Sequence, residues 1–222
     1  MLLVPKYDLF VFDWDGTVMD TTEPIAAGIC HAFEAMGYKN PGMQAARSVI
    51  GLDWRKAILT LEPDFAFEHY DLFEKAYRSY YLAKERDIGI FPGLEDLLRK
   101  MKAAGLRLAV ATGKRRAGLD RVFAQTGVAD LFEATVTADE SAGKPNPLML
   151  QMISEMTGVD ISQMVMVGDT EHDLWLAKNA GCAAVAVSYG AFPKEELKKW
   201  KVPVVDNVPQ LASALGVDEL LA

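Results

Sequence analysis

The sequence predicts an α/β protein: a doubly wound parallel sheet with an all-helical segment inserted near its start. Three observations predict it. Short apolar runs each end in a polar turn. Their hydrophobicity is continuous rather than alternating, as in strands buried on both faces. Helical periodicity fills the gaps between the later runs, and strands alternating with helices wind a parallel sheet.

Taken in order, the first run is Leu9–Phe12, which ends at Asp13. No buried-strand signal follows until Leu106. Instead Ile25, Ile29, Ala32, Phe33 and Met36 form one helical face that stops at Gly37, and Phe67, Tyr70, Phe73, Tyr77 and Tyr81 form another. About seventy residues, 19–89, therefore read as a helical insertion, and Phe91-Pro92-Gly93 marks the return to residues 90–222. Residues 1–18 and 90–222 together make the sheet-bearing unit. Leu94, Leu97, Leu98 and Met101 repeat at helical spacing before Gly105, where glycine just past the last apolar position is the usual helix stop. Leu106–Ala111 is the next strand, ending at Thr112. The helix of Leu119, Val122, Phe123 and Thr126 stops at Gly127. A weaker strand, Ala134–Val136, precedes the helix of Leu148, Met149, Met152, Ile153 and Met156. Met164–Val167 and Ala183–Val187 complete the set.

Composition limits the function. Half of the 222 residues are hydrophobic and 24% are charged, an ordinary globular balance. The net charge of −8 without a basic block argues against nucleic acid. Two cysteines, Cys30 and Cys182, make neither a disulfide scaffold nor a zinc site. The apolar part of Met1-Leu-Leu-Val-Pro-Lys-Tyr-Asp is too short for a signal peptide, and no run is long enough to span a bilayer. A cytoplasmic protein with no membrane association is the expectation.

Four motifs carry chemistry. Asp13-Trp14-Asp15-Gly16-Thr17 puts two carboxylates on one side of a strand end, where an open sheet binds ligands. An ionised aspartate is a competent nucleophile toward phosphorus, and a neighbouring carboxyl can move the proton. Gly16 allows close backbone approach, and Thr17 can cap or bind. Gly168-Asp169-Thr170-Glu171-His172-Asp173 again ends a buried strand in acids. Carboxylates converging on one crevice repel unless a cation lies between them, and hard oxygen ligands favour Mg²⁺. Thr112-Gly113 offers a hydroxyl and an amide, a small anion-binding corner. Lys144, in Gly143-Lys144-Pro145-Asn146-Pro147, is a point charge held in a rigid turn. Read singly, each motif is also what an ordinary turn, cap or surface lysine would present. Their meaning comes from occurring together at strand ends.

These residues resemble the haloacid dehalogenase superfamily, in its phosphoglycolate phosphatase-like group with a helical C1-type cap. Asp13–Thr17 resembles the first motif, with Trp14 where leucine is commoner. Thr112-Gly113 resembles the second, Lys144-Pro145 the third and Gly168–Asp173 the fourth. The resemblance implies a Rossmann-like sheet of order 3-2-1-4-5 and a Mg²⁺-dependent phosphatase. It implies that Asp13 takes the phosphoryl group, that Asp15 serves as acid and base, and that Asp13, the Asp15 carbonyl and Asp169 hold Mg²⁺. Asp173 supports the metal, while Thr112, Gly113 and Lys144 bind phosphoryl oxygens. The expected partner is a small phosphorylated metabolite, with 2-phosphoglycolate foremost. The alternatives are a β-phosphoglucomutase-like phosphomutase, an inorganic pyrophosphatase or a phospho-accepting receiver domain. Asp15 argues against dehalogenation, and Thr21–Ile25, lacking histidine, against mutase chemistry.

Val49–Arg55 resembles the family's specificity loop, and Arg55 is assigned to a substrate carboxylate or second phosphate. Lys114, Arg115 and Arg116 are read mainly as helix-surface residues, and His172 as facing solvent. The oligomeric state is left open between a monomer and a weak homodimer.

Overall fold

The computed structural model describes residues 6–221; Met1–Pro5, on which most of the N-terminal reading falls, and Ala222 lie outside the described residues. Six strands form one parallel sheet: β1 (Leu9–Phe12), β2 (Leu108–Thr112), β3 (Ala134–Thr137), β4 (Met164–Gly168), β5 (Ala183–Val187) and β6 (Val204–Val205). Their order is β3-β2-β1-β4-β5-β6. The expected five-strand order is present, with β6 added at the edge. Two residues are too few to register as an apolar run; β6 exists because Ala186 N–H and Ser188 N–H donate to the Pro203 and Val205 carbonyls.

The continuous apolar runs are explained by where alternate side chains go. Phe10 and Phe12 of β1 join Val165, Val167, Leu108 and Val110 in one cluster. Leu9 and Val11 join Met164, Met166, Ala109 and Ala111 in another, on the opposite face. Helices α5 (Leu94–Ala103), α6 (Arg116–Thr126) and the helix Val208–Leu215 cover the first face. Helices α7 (Leu148–Thr157) and α8 (Glu171–Ala180) cover the second. Truncating a buried phenylalanine such as Phe10 in such a core costs about 3–5 kcal/mol.

Between β1 and α5 the chain is helical: α1 (Thr22–Ala35), α2 (Met43–Ser48), α3 (Trp54–Leu61) and α4 (Tyr70–Glu85). This segment has its own apolar cluster, centred on Ile29, Phe33, Ile58, Phe65 and Phe73. Phe33 and Phe73 meet edge to face, 4.8 Å between centroids. The expected stripe of Phe67, Tyr70, Phe73, Tyr77 and Tyr81 is correct only from Tyr70 onward. Phe67 lies in a preceding 3₁₀ turn and is 69% exposed. The chain leaves and returns to the sheet-bearing unit along paired linkers, with Asp20 N–H donating to the Gly89 carbonyl and Phe91 N–H to that of Val18.

Candidate active site

The ends of β1 and β4, neighbours in the sheet, bring Asp13 and Asp169 together. Asp13 N–H donates to the Val167 carbonyl, which fixes the β1 loop against β4. Trp14 points the other way and is fully buried, edge to face with Phe123 at 5.1 Å. Gly16 is required: its φ is +82°, and a Cβ there would stand 2.2 Å from Asp169 Oδ2. Thr17 Oγ1 donates to Asp169 Oδ1 (3.0 Å), and Ala191 N–H donates to Asp169 Oδ2 (2.7 Å).

Asp173 occupies the first turn of α8. Its Oδ2 accepts from both Thr170 N–H and Thr170 Oγ1, a reciprocal cap. Its Oδ1 accepts from Lys144 Nζ at 2.5 Å. Lys144, fully buried, also lies 2.8 Å from Asp13 Oδ1. Neither Asp13 oxygen receives a well-directed hydrogen bond from the described residues. Oxygens of Asp13, Asp169 and Asp173 all lie within 4.8 Å of one another.

Three buried carboxylates thus face one ammonium. Burial pushes the Asp13 carboxyl up to about 7; Lys144 opposes the shift and Asp173 adds to it. Burial, with Asp13 and Asp173 alongside, also raises Asp169 well above the usual carboxylate range. Burial works against the Lys144 ammonium, but Asp13 and Asp173 outweigh it and raise its pKa. A divalent cation fits this set: it would balance the two surplus negative charges and supply the partner that Asp13 lacks. Hard oxygen donors suit Mg²⁺.

Asp15 belongs to a second arrangement. Thr21 Oγ1 donates to its Oδ1 (2.8 Å), and Lys114 Nζ lies 2.7 and 2.9 Å from its two oxygens. The helix-surface reading of Lys114 is therefore wrong. The side chain is only 10% exposed and lies over the Tyr81 ring of α4. Lys114 precedes α6 and sits in the loop directly after Thr112-Gly113, a position that could have flagged it. Arg115 reaches Glu74 of α4 at 3.0 Å, whereas Arg116 pairs with Glu140 on the surface.

The Val49–Arg55 loop rests on the ends of the core strands. A Cβ on Gly113 would stand 2.7 Å from the Gly51 carbonyl oxygen, and one on Gly143 would stand 3.1 Å from Asp53 Cβ. His172 does not simply face solvent: its Nε2 is 3.2 Å from the Ser48 carbonyl and its ring meets Phe192. Thr112 is buried, and its hydroxyl accepts from Lys114 N–H (3.1 Å). A cavity of about 180 Å³ opens between loop and strand ends, lined by Asp13, Asp15, Thr112, Gly113 and Lys114 from the core side. Arg55 is not in its lining. The guanidinium lies over the rings of Phe67 and Tyr70, at 4.9 and 5.5 Å, because those aromatics offer it a face. The arginines of the cavity are Arg78, Arg115 and Arg121.

A sequence profile described as haloacid dehalogenase-like hydrolase matches residues 10–187. The chain belongs to this family. A relative from Dickeya dadantii, named "Probable phosphatase IndB", is 32% identical over 213 residues, covering 93% of this chain and 92% of its own. A phosphoglycolate phosphatase from Neisseria meningitidis is 33% identical over 187 residues, covering 81% and 79%. The fold of this haloacid dehalogenase-like hydrolase matches a crystal structure of a hydrolase from Pseudomonas syringae, with TM-score 0.84, 21% identity and coverage of 93% and 96%.

Proposed function

We propose that the protein is a Mg²⁺-dependent phosphatase that hydrolyses a small phosphate monoester through an aspartyl-phosphate on Asp13. The observation that carries this reading is the Asp13 carboxylate: buried, without a well-directed donor, on the cavity wall and beside Lys144. An Asp13 oxygen attacks phosphorus as the ester P–O bond breaks, and the Asp15 carboxyl gives its proton to the leaving oxygen. Water then attacks phosphorus, Asp15 takes its proton, and Asp13 is released with inorganic phosphate. Thr112, the Gly113 amide and Lys144 orient the phosphoryl oxygens. Lys114 and Thr21 hold Asp15 in place. Asp13, the Asp15 carbonyl and Asp169 would hold Mg²⁺, whose positive charge would let a carboxylate approach an anionic phosphate. Asp173 supports the centre through Lys144 and Thr170. Residues 19–89 act as the cap that keeps water out during the first transfer.

Phosphate release from a panel of esters, including 2-phosphoglycolate and pyrophosphate, tests the reading. Activity should require Mg²⁺ and stop with EDTA. Asp13→Asn should lose at least about a thousandfold in kcat while melting cooperatively. Normal turnover by that variant would remove Asp13 from the nucleophile's role.

A further inference from the structure

We propose that the cavity above Asp15 selects phosphate esters whose leaving group carries an apolar body the size of an aromatic ring, over esters of short acids such as glycolate. The inference rests on Asp13 being the phosphoryl acceptor, and it concerns what lies beyond the phosphate.

The cavity wall facing Asp13 and Asp15 comes from the helical segment and is built of Ile25, Ile29, Ile50 and Leu52 with the rings of Trp54 and Tyr77. The two rings are 4.6 Å apart and tilted at 51°. The opposite wall, on α6, presents the small residues Ala117 and Gly118. The cavity of about 180 Å³ also takes in the phosphoryl site at Asp13, Thr112 and Gly113, so the leaving group meets the remainder, which these apolar side chains wall in.

The charges argue the same way. Lys114 faces Asp15 and Arg121 faces Glu85, while Arg78 and Arg115 share Glu74 and are about half exposed, so a small carboxylate would compete with these pairs for at most one uncommitted positive charge. Arg55, the residue first assigned to that task, is engaged with Phe67 and Tyr70.

The test compares three alkyl esters, so that leaving ability is similar: ethyl phosphate, 2-phenylethyl phosphate and 2-phosphoglycolate, each with full-length enzyme and Mg²⁺. The expected result is a kcat/KM for 2-phenylethyl phosphate at least about tenfold above both others, carried mainly by KM, as burial of a ring provides. Trp54→Ala should reduce the phenylethyl-to-ethyl ratio about tenfold, and Trp54→Phe should restore part of it. If Trp54→Ala does not fold, Ile29→Thr on the same wall is read by the same ratio. Hydrolysis of all three with a flat profile, a preference for 2-phosphoglycolate, or a ratio indifferent to these substitutions overturns the pocket assignment and leaves the phosphatase reading intact. No hydrolysis of any ester overturns both.

Discussion

Lys144 and Lys114 each reach an aspartate of the same β1 loop, yet they occupy different electrostatic worlds. Lys144 is fully buried between Asp13 and Asp173, two of the three clustered acids. Lys114 retains a little exposure, meets Asp15 alone, and leans on the Tyr81 ring from the helical segment. One lysine is surrounded by more negative charge than it can neutralise. The other matches a single carboxylate at a cavity edge. A buried charge whose partner is removed costs far more than an edge charge that water can reach.

The comparison can be broken most directly at Lys144. Lys144→Met should destabilise the protein by about 3–5 kcal/mol in denaturant titration, because three carboxylates would remain with no cation. Added Mg²⁺ should recover part of that loss. Lys114→Met should cost only about 1–2 kcal/mol, since Thr21 still serves Asp15. Its larger effect should be kinetic, about tenfold in kcat. Equal destabilisation by the two substitutions would erase the distinction.

The third prediction concerns pH. The Asp13 carboxyl, raised to about 7 by burial, keeps its proton where the unfolded chain has already lost it. Between about pH 4 and 7 the folded, metal-free protein therefore binds more protons, so its stability falls as pH rises. Mg²⁺ must displace that proton and any that the likewise raised Asp169 retains, so its affinity should drop by at least about tenfold per pH unit below 7. Calorimetric titration at several pH values reads this directly. Unchanged affinity across that window would mean that Asp13 is ionised without the metal.

The strands and acidic loops were legible because each rests on local pattern. Leu9–Phe12 and Met164–Val167 alternate between two buried faces, and their polar successors fall at the sheet's carboxyl edge. Lys114 and Arg55 were not legible, for one reason seen from two sides. Both are cations whose aromatic partners are set by tertiary packing: Lys114 meets Tyr81 only where the helical segment docks on the core, and Arg55 meets Phe67 and Tyr70 only through the packing of α3 against the start of α4. Tyr81 sits over the site and receives Lys114; Phe67 and Tyr70 draw Arg55 away. His172 is the same case, since Ser48 and Phe192 lie far from it along the chain. Strand β6 is held by backbone pairing and leaves no side-chain signature.

Ala191 carries a consequence of its own. Its N–H holds Asp169, while its methyl group packs in the helical segment's apolar cluster beside Phe192. Two residues earlier, Tyr189 packs at a tilt against Phe91 on the returning linker and donates to the Thr17 carbonyl. A swing of the helices would strip this hairpin-like stretch of its support just where it steadies an acid. On the proposed reading, an ion at Asp169 and a closed helical segment would therefore lean on one fulcrum, and by reciprocity whatever tightened one would favour the other.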